Sequence, residues 1–198
     1  GDKLFSVSET GTTRTTVLDN TGHGEYYHER LFLADKTKLR FSAPTDFNNF
    51  TDSCLAGGTV DLTGKHGDIV GMKSLNETLY VFCRRGVYKV KAQGKAEDFV
   101  VEEISYDGGE ILPYSVARSD NKIGFLTKDG IYLFDGTTAE KVFDTAFSDW
   151  ANVRSTAYDG KLYFYAKPVS STFPVGIILD TKTLEVSFNR NGSKAFSS

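Results

Sequence analysis

The sequence predicts an all-β fold: a β-propeller of about four four-stranded blades, with a further half blade near the N-terminal end. Three observations lead there. A pair of strand-like segments recurs at a nearly constant interval, turn-forming residues separate its members, and the composition favours strands. The 198 residues include 15 Phe and 10 Tyr, aromatic side chains that suit a pleated, half-buried surface. The 19 Gly, several beside Asp, supply tight turns, whereas four Pro and one Met leave little for extended linkers or adaptable Met-rich surfaces.

The recurring unit justifies the blades in order. Leu31–Ala34 is followed by Leu39–Ser42, Leu79–Phe82 by Val87–Val90, and Ile123–Leu126 by Ile131–Phe134, each partner starting eight residues after the first strand. In the fourth unit Leu162–Tyr165 reaches Ile177–Leu179 only after the inserted segment Lys167–Gly176. Partner strands therefore begin at 39, 87, 131 and 177, at intervals of 48, 44 and 46 residues. A period of this size, built from successive hairpins, is the mark of propeller blades.

Each unit extends on both sides. Upstream strands are expected at Glu25–His28, Asp68–Ser74, Tyr114–Arg118 and Val153–Ala157, with turns at Asn76-Glu77, Asp120-Asn121 and Asp159-Gly160. Downstream strands are expected at Gly58–Leu62, Phe99–Ile104, Ala139–Phe143 and Leu184–Phe188. The blades then occupy residues 25–64, 68–105, 113–144 and 153–188 of a single propeller domain spanning 1–198. Leu4–Val7 and Thr13–Leu18 form the half blade within 3–19, and one helical turn is expected at Thr145–Trp150. Positions with period two across the repeats (Leu31, Leu33, Leu79, Val81, Ile123, Phe125, Leu162 and Phe164) form the expected core. The uneven alternation within Val87–Val90 and Phe99–Ile104 suits sheets covered on both faces.

Charge and motif content bear on function. Lys and Arg number 23 against 26 Asp and Glu, a net charge of −3 that offers no broad cationic surface for nucleic acid or anionic lipid. The longest apolar runs, Leu79–Cys83 and Leu162–Ala166, are too short for a membrane helix. No leader with a basic start and an apolar stretch opens the chain, Gly1 in place of Met suggests a processed, excised or tag-trimmed product, and four and a half blades read as either a fragment of a larger propeller or an imperfectly closed ring. Two cysteines, Cys54 and Cys83, make no disulfide framework, and Cys83 reads as a buried thiol. His23, His28 and His66 read as solvated loop residues rather than metal ligands. The Asp-Gly pairs at 107, 129, 135 and 159 lack the alternating oxygen ligands of a calcium loop and read as hairpin turns. Nucleophile-elbow, phosphate-loop and zinc-protease motifs are absent from the sequence, so no catalytic, metal or cofactor site is expected. The candidate interaction residues are the hairpin tips Arg84, Arg85, Lys128 and Asp129, at matching points of successive blades and hence on one rim.

One segment carries a resemblance. Glu29–Ala34, then Phe41-Ser42-Ala43-Pro44 and Asp46–Phe50, with the later Phe125–Tyr132 and Asp135-Gly136, resembles tailed-phage structural proteins that contain a β-propeller: tail nozzle, tail hub and head–tail stabilisation proteins. The resemblance implies a non-enzymatic virion component, assembled in the bacterial cytoplasm and bound to other virion or tail proteins. Two further readings remain open. Tyr26, Tyr27 and Tyr106 suit a carbohydrate-binding propeller, and a glycosidase or lyase would need paired carboxylates facing a central pocket.

Overall fold

The computed structural model describes residues 3–7, 14–19, 22–51, 53, 57–62, 64–145 and 149–189. It contains four four-stranded antiparallel sheets arranged as the blades of a propeller. A separate hairpin, β1 (Lys3–Val7) and β2 (Arg14–Asp19), forms a two-stranded sheet where the half blade is expected. Blade 1 is β3 (Gly24–Tyr27), β4 (Arg30–Asp35), β5 (Lys38–Phe41) and β6 (Gly58–Asp61). Blade 2 is β7 (Ile69–Leu75), β8 (Thr78–Cys83), β9 (Gly86–Lys91) and β10 (Val100–Ile104). Blade 3 follows as β11 (Ala117–Ser119), β12 (Lys122–Leu126), β13 (Gly130–Phe134) and β14 (Ala139–Asp144). Blade 4 is β15 (Trp150–Tyr158), β16 (Lys161–Pro168), β17 (Val175–Asp180) and β18 (Val186–Asn189).

The turn chemistry explains the connectivity. Asn76 and Glu77 both have positive φ (47° and 56°), as do Asp159 and Gly160 (49° and 72°), the backbone of hairpin turns whose twist matches the strands. His28 and Glu29 adopt the same geometry in blade 1. Between blades, the tip of one hairpin holds the entry to the next blade. The Ile69 amide donates to the Lys36 carbonyl at 2.8 Å, and the Ile111 amide donates to the Arg84 carbonyl at 2.8 Å. The first strands of successive blades lie side by side, β3 against β7, β7 against β11 and β11 against β15, so they form the inner wall.

Three hydrophobic layers join neighbouring blades. Phe32, Ala34, Leu39 and Phe41 of blade 1 face Leu79, Val81 and Val90 of blade 2. The opposite side of blade 2, with Tyr80, Phe82 and Val87, packs on Ile123, Phe125 and Phe134 of blade 3. Leu126, Ile131 and Leu133 then meet Leu162, Phe164 and Ile177 of blade 4. Covering on both faces leaves all of β8, all of β13 and most of β9 buried, but β10, at the outer edge of blade 2, is largely exposed, so its uneven alternation does not come from burial on both faces.

Three expectations are corrected. Leu31 is only half-buried, because Phe32 and Ala34 take the inter-blade face and Leu31 points to the other side of blade 1. Trp150 opens β15 rather than closing a helical turn; its partner across the sheet is Pro168. Residues 146–148 of that expected turn lie outside the described residues, and among those described the helix is a single 3-10 turn, Ala96–Asp98, between β9 and β10. The third blade begins at Ala117 instead of Tyr114. Tyr114 has φ of 63°, and the Ser115 amide turns back to the Leu112 carbonyl, so the chain is bent there.

Candidate functional site

Two of the four predicted rim residues, Arg84 and Lys128, come together through an acid that the sequence reading passed over. Glu110 lies in the link between blades 2 and 3. Its Oε1 accepts from Arg84 Nη1 at 2.9 Å, and its Oε2 lies 3.4 Å from Lys128 Nζ. The tips of both blades are thus tied to one carboxylate, which the Arg84 hydrogen bond holds below the usual glutamate range. Asp129 points the other way. It accepts from Thr127 Oγ1 at 2.6 Å, and Lys141 Nζ lies 2.8 Å from it. Partial burial pulls the Asp129 carboxyl upward, but these two donors outweigh that effect and its pKa falls. Arg85 is exposed and has no side-chain partner among the described residues. The rim is therefore largely self-neutralised, with Arg85 as its free cation. The one sequence signal for Glu110 was the need of two neighbouring cationic tips for a counter-charge.

The tyrosines read as possible sugar platforms divide by environment. Tyr27 is buried and donates through its hydroxyl to the Glu77 carbonyl of blade 2 at 2.6 Å. Tyr106 is half-buried and donates to the Gly109 carbonyl at 2.5 Å. Both are struts. Tyr26 is 59% exposed and meets Phe47, 43% exposed, edge to face at 5.7 Å. The loop carrying Phe47 is held by its own bonds, from the Thr45 amide to the Glu29 carbonyl and from the Ala43 amide to the Asn49 carbonyl. Tyr26 and Phe47 form an exposed aromatic pair on a firm base.

Two histidines depart from the expectation of solvated loops. His23 is half-buried with its ring 4.5 Å from that of Tyr114, and burial, then Lys73 and Arg154, lower its pKa. His66 packs beneath β9, where a Cβ at position 86 would collide with its ring; only glycine leaves the space. Its Nε2 lies 2.8 Å from Glu103 Oε1. His28 is exposed, as expected. Cys83 is buried and its thiol is pushed up to about 12, by burial first and then by Asp68, whereas Cys54 lies outside the described residues. Among the described residues no group of three or more His, Cys, Asp or Glu side chains is placed to hold a metal ion. No helix among them is long and apolar enough to cross a membrane.

Comparison with known proteins bears on the fold. No family matches the chain, and no curated protein does. Among solved structures, a chain of a nidogen/laminin complex is similar, with TM-score 0.55, 16% identity, and coverage of 80% of this chain and 60% of that one. AztD from Citrobacter koseri in its apo form has TM-score 0.51 and 15% identity, covering 85% of this chain and 45% of the other. A quinonprotein alcohol dehydrogenase-like protein from Bacteroides thetaiotaomicron has TM-score 0.59 and 12% identity over 94% of this chain and 50% of the other. The chain thus spans 45–60% of the length of these three, none of which is described as a phage protein. At such identities the likeness is one of fold, and the fold is a propeller.

Proposed function

We propose that the chain is a non-enzymatic propeller scaffold acting through protein–protein contacts, as a tail-nozzle- or hub-like component of a phage or prophage virion. In this reading it is assembled in the bacterial cytoplasm, within an oligomeric complex of virion or tail proteins, binds no nucleic acid and does not span a membrane. The observation that carries the scaffold reading is where the polar groups go. Arg30, Tyr27, Tyr80 and Glu110 each bond across a blade boundary, which stiffens the arrangement of blades. Among the described residues, every carboxylate with a displaced pKa (Glu103, Glu110, Asp129, Asp135, Asp180) is displaced downward. A hydrolase acting as general acid near neutrality needs the opposite shift. The virion part rests on the resemblance around Glu29–Phe50.

A carbohydrate-binding propeller is the second reading, favoured by the exposed Tyr26–Phe47 pair, since aromatic faces stack on sugar rings. The flanking genes decide the virion assignment: portal, terminase and tail-fibre neighbours support it, and neighbours of unrelated metabolism overturn it. A panel of glycans and glycoside substrates tests the rest. Glycan binding lost in Tyr26→Ala promotes the second reading, and turnover lost on changing a single carboxylate overturns the non-enzymatic one.

A further inference from the structure

The inner wall holds a polar cavity of about 340 Å³, lined by residues from the first strand of every blade: Glu25, Lys73, Arg118, Ser155 and Thr156 among them. Its volume lies at the lower end of the range of small-molecule sites. The charges around it are unbalanced. Glu25 is the acid of the lining, and its carboxylate is already saturated: Oε2 accepts from Lys73 Nζ at 2.8 Å, and Oε1 accepts from the Ser74 amide and hydroxyl at 2.9 and 3.0 Å. Arg118 uses Nη1 to donate to the Ser74 carbonyl at 2.7 Å, while its Nε and Nη2 have no partner among the described residues. The Thr156 hydroxyl likewise has none.

Earlier along the same wall a third cation adds to this. The Arg154 guanidinium lies 4.5 Å over the Tyr114 ring, whose carbonyl accepts from Ser155 Oγ at 3.1 Å. Within the lining two cations, Lys73 and Arg118, stand against the one acid, Glu25, and Arg154 lies on the same strand as Ser155 and Thr156. Lys73 and Arg154 add a positive field at His23, whose pKa is lowered first by burial and then by these two cations. A concave wall focuses such a field on whatever enters.

We propose that this axial cavity binds a small multivalent oxyanion, a phosphate or a compact polycarboxylate, with Arg118 and Lys73 as its charged anchors and Thr156 as a neutral donor. A guanidinium with two open N–H groups suits paired oxygens of a phosphate or carboxylate. The matched groove between blades 2 and 3 is the internal contrast. There the lining sets two acids, Glu77 and Asp135, against two bases, Lys89 and Lys91, and Lys89 lies 3.6 Å from Glu102, so no excess positive charge is left.

The test is calorimetric titration of the full chain with inorganic phosphate and, separately, with citrate, at an ionic strength held constant with sodium chloride. Saturable binding of either anion is expected, weakened at least tenfold in Arg118→Gln and unchanged in Lys128→Gln, which removes an equal charge from the rim. Thr156→Val should weaken it two- to fivefold without touching the Arg118–Ser74 bond, and it decides the question if Arg118→Gln fails to fold. Absence of saturable binding of both anions, or equal affinity in the wild type and all folded variants, overturns the proposal.

Discussion

Arg30 should be one of the most costly polar side chains to remove. It is only 3% exposed. Its Nη1 donates to the Ser42 carbonyl at 2.8 Å within blade 1, and its Nη2 donates to the Gly94 carbonyl of blade 2 at 3.1 Å. The guanidinium also lies 5.5 Å from the ring centres of both Phe41 and Phe99, themselves 4.8 Å apart. Burial lowers its pKa, yet an arginine remains charged at any pH where proteins fold. In Arg30→Met the stem volume is largely kept, but the buried Ser42 carbonyl loses its donor, at about 1–3 kcal/mol, whereas the carbonyl of exposed Gly94 can turn to water at a smaller cost. Loss of the ring contacts adds about 0.5–2 kcal/mol. Relief from burying a charge offsets part of this, since apolar replacement of buried ions is often well tolerated. The net expectation is a loss of about 1–3 kcal/mol. Arg30→Lys keeps the charge without the fork that spans both carbonyls, and should fall between wild type and Arg30→Met. Urea unfolding followed by far-UV circular dichroism measures the loss, and hydrogen exchange at the blade 1–blade 2 boundary locates it. An Arg30→Met protein within about 0.5 kcal/mol of wild type would show that the two carbonyl bonds contribute nothing net to the joint.

Four further outcomes follow from the packing and the charges. Val81→Ala and Phe125→Ala each remove a fully buried side chain from an inter-blade layer and should cost about 2–4 kcal/mol in urea unfolding; losses under about 0.5 kcal/mol at both would refute the assigned layers. Gly124→Ala places a Cβ against Leu162 Cδ1 across the blade 3–blade 4 boundary, costing about 1–3 kcal/mol, and Leu162→Ala should recover part of the lost fit in the double variant. The Glu110 carboxyl is depressed by Arg84 from its ordinary 4.5, so its contribution is complete above that pH and is lost as pH falls through the lower folded value. Glu110→Gln should therefore unfold less steeply with acid than wild type, by under about 1 kcal/mol for so accessible a pair; identical acid profiles would contradict the bridge. The Cys83 thiol, raised to about 12 from an ordinary 9, should resist alkylation in a folded Cys54→Ser protein near neutral pH and react quickly in urea. The raised folded value also means that the unfolded chain ionises first, so Cys83 favours unfolding progressively as pH climbs above about 9, as alkaline titration of stability should show.

The strands were legible because hairpin turns write themselves locally. Asn76-Glu77 and Asp159-Gly160 bound β8 and β16 within a residue of where the sequence places them. What failed was whatever depends on a neighbour distant in the chain. Nothing near His66 announces that Gly86 leaves a slot for its ring, and nothing near His23 announces Tyr114, more than ninety residues on. Leu31 occupies the same place in the repeat as Leu79, but in blade 1 the inter-blade face is taken by Phe32, so the shared register misassigns it. Glu110 escaped notice for a related reason: an isolated acid after two glycines carries no pattern, and only folding sets it between Arg84 and Lys128.

The segment that carries the family resemblance explains itself as architecture. Arg30 bonds the Ser42 carbonyl, the Leu31 amide donates to Ser42 Oγ at 2.9 Å, and Ser42 Oγ in turn donates to the Ala43 carbonyl at 2.9 Å. The Arg, the Ser and the aromatic residues around them thus close the end of blade 1 and lock it to blade 2. On the scaffold reading proposed above, a partner would meet side chains the joint leaves in solvent, of which Tyr26, Phe47 and Arg85 are exposed here. Replacing these three together should therefore abolish partner binding while leaving urea stability within about 0.5 kcal/mol, as surface substitutions usually do. Joint variants such as Arg30→Met should do the reverse, losing stability and losing binding only in proportion to the fraction unfolded. If the surface variant retained full binding, recognition would have to lie in other exposed loops of the propeller.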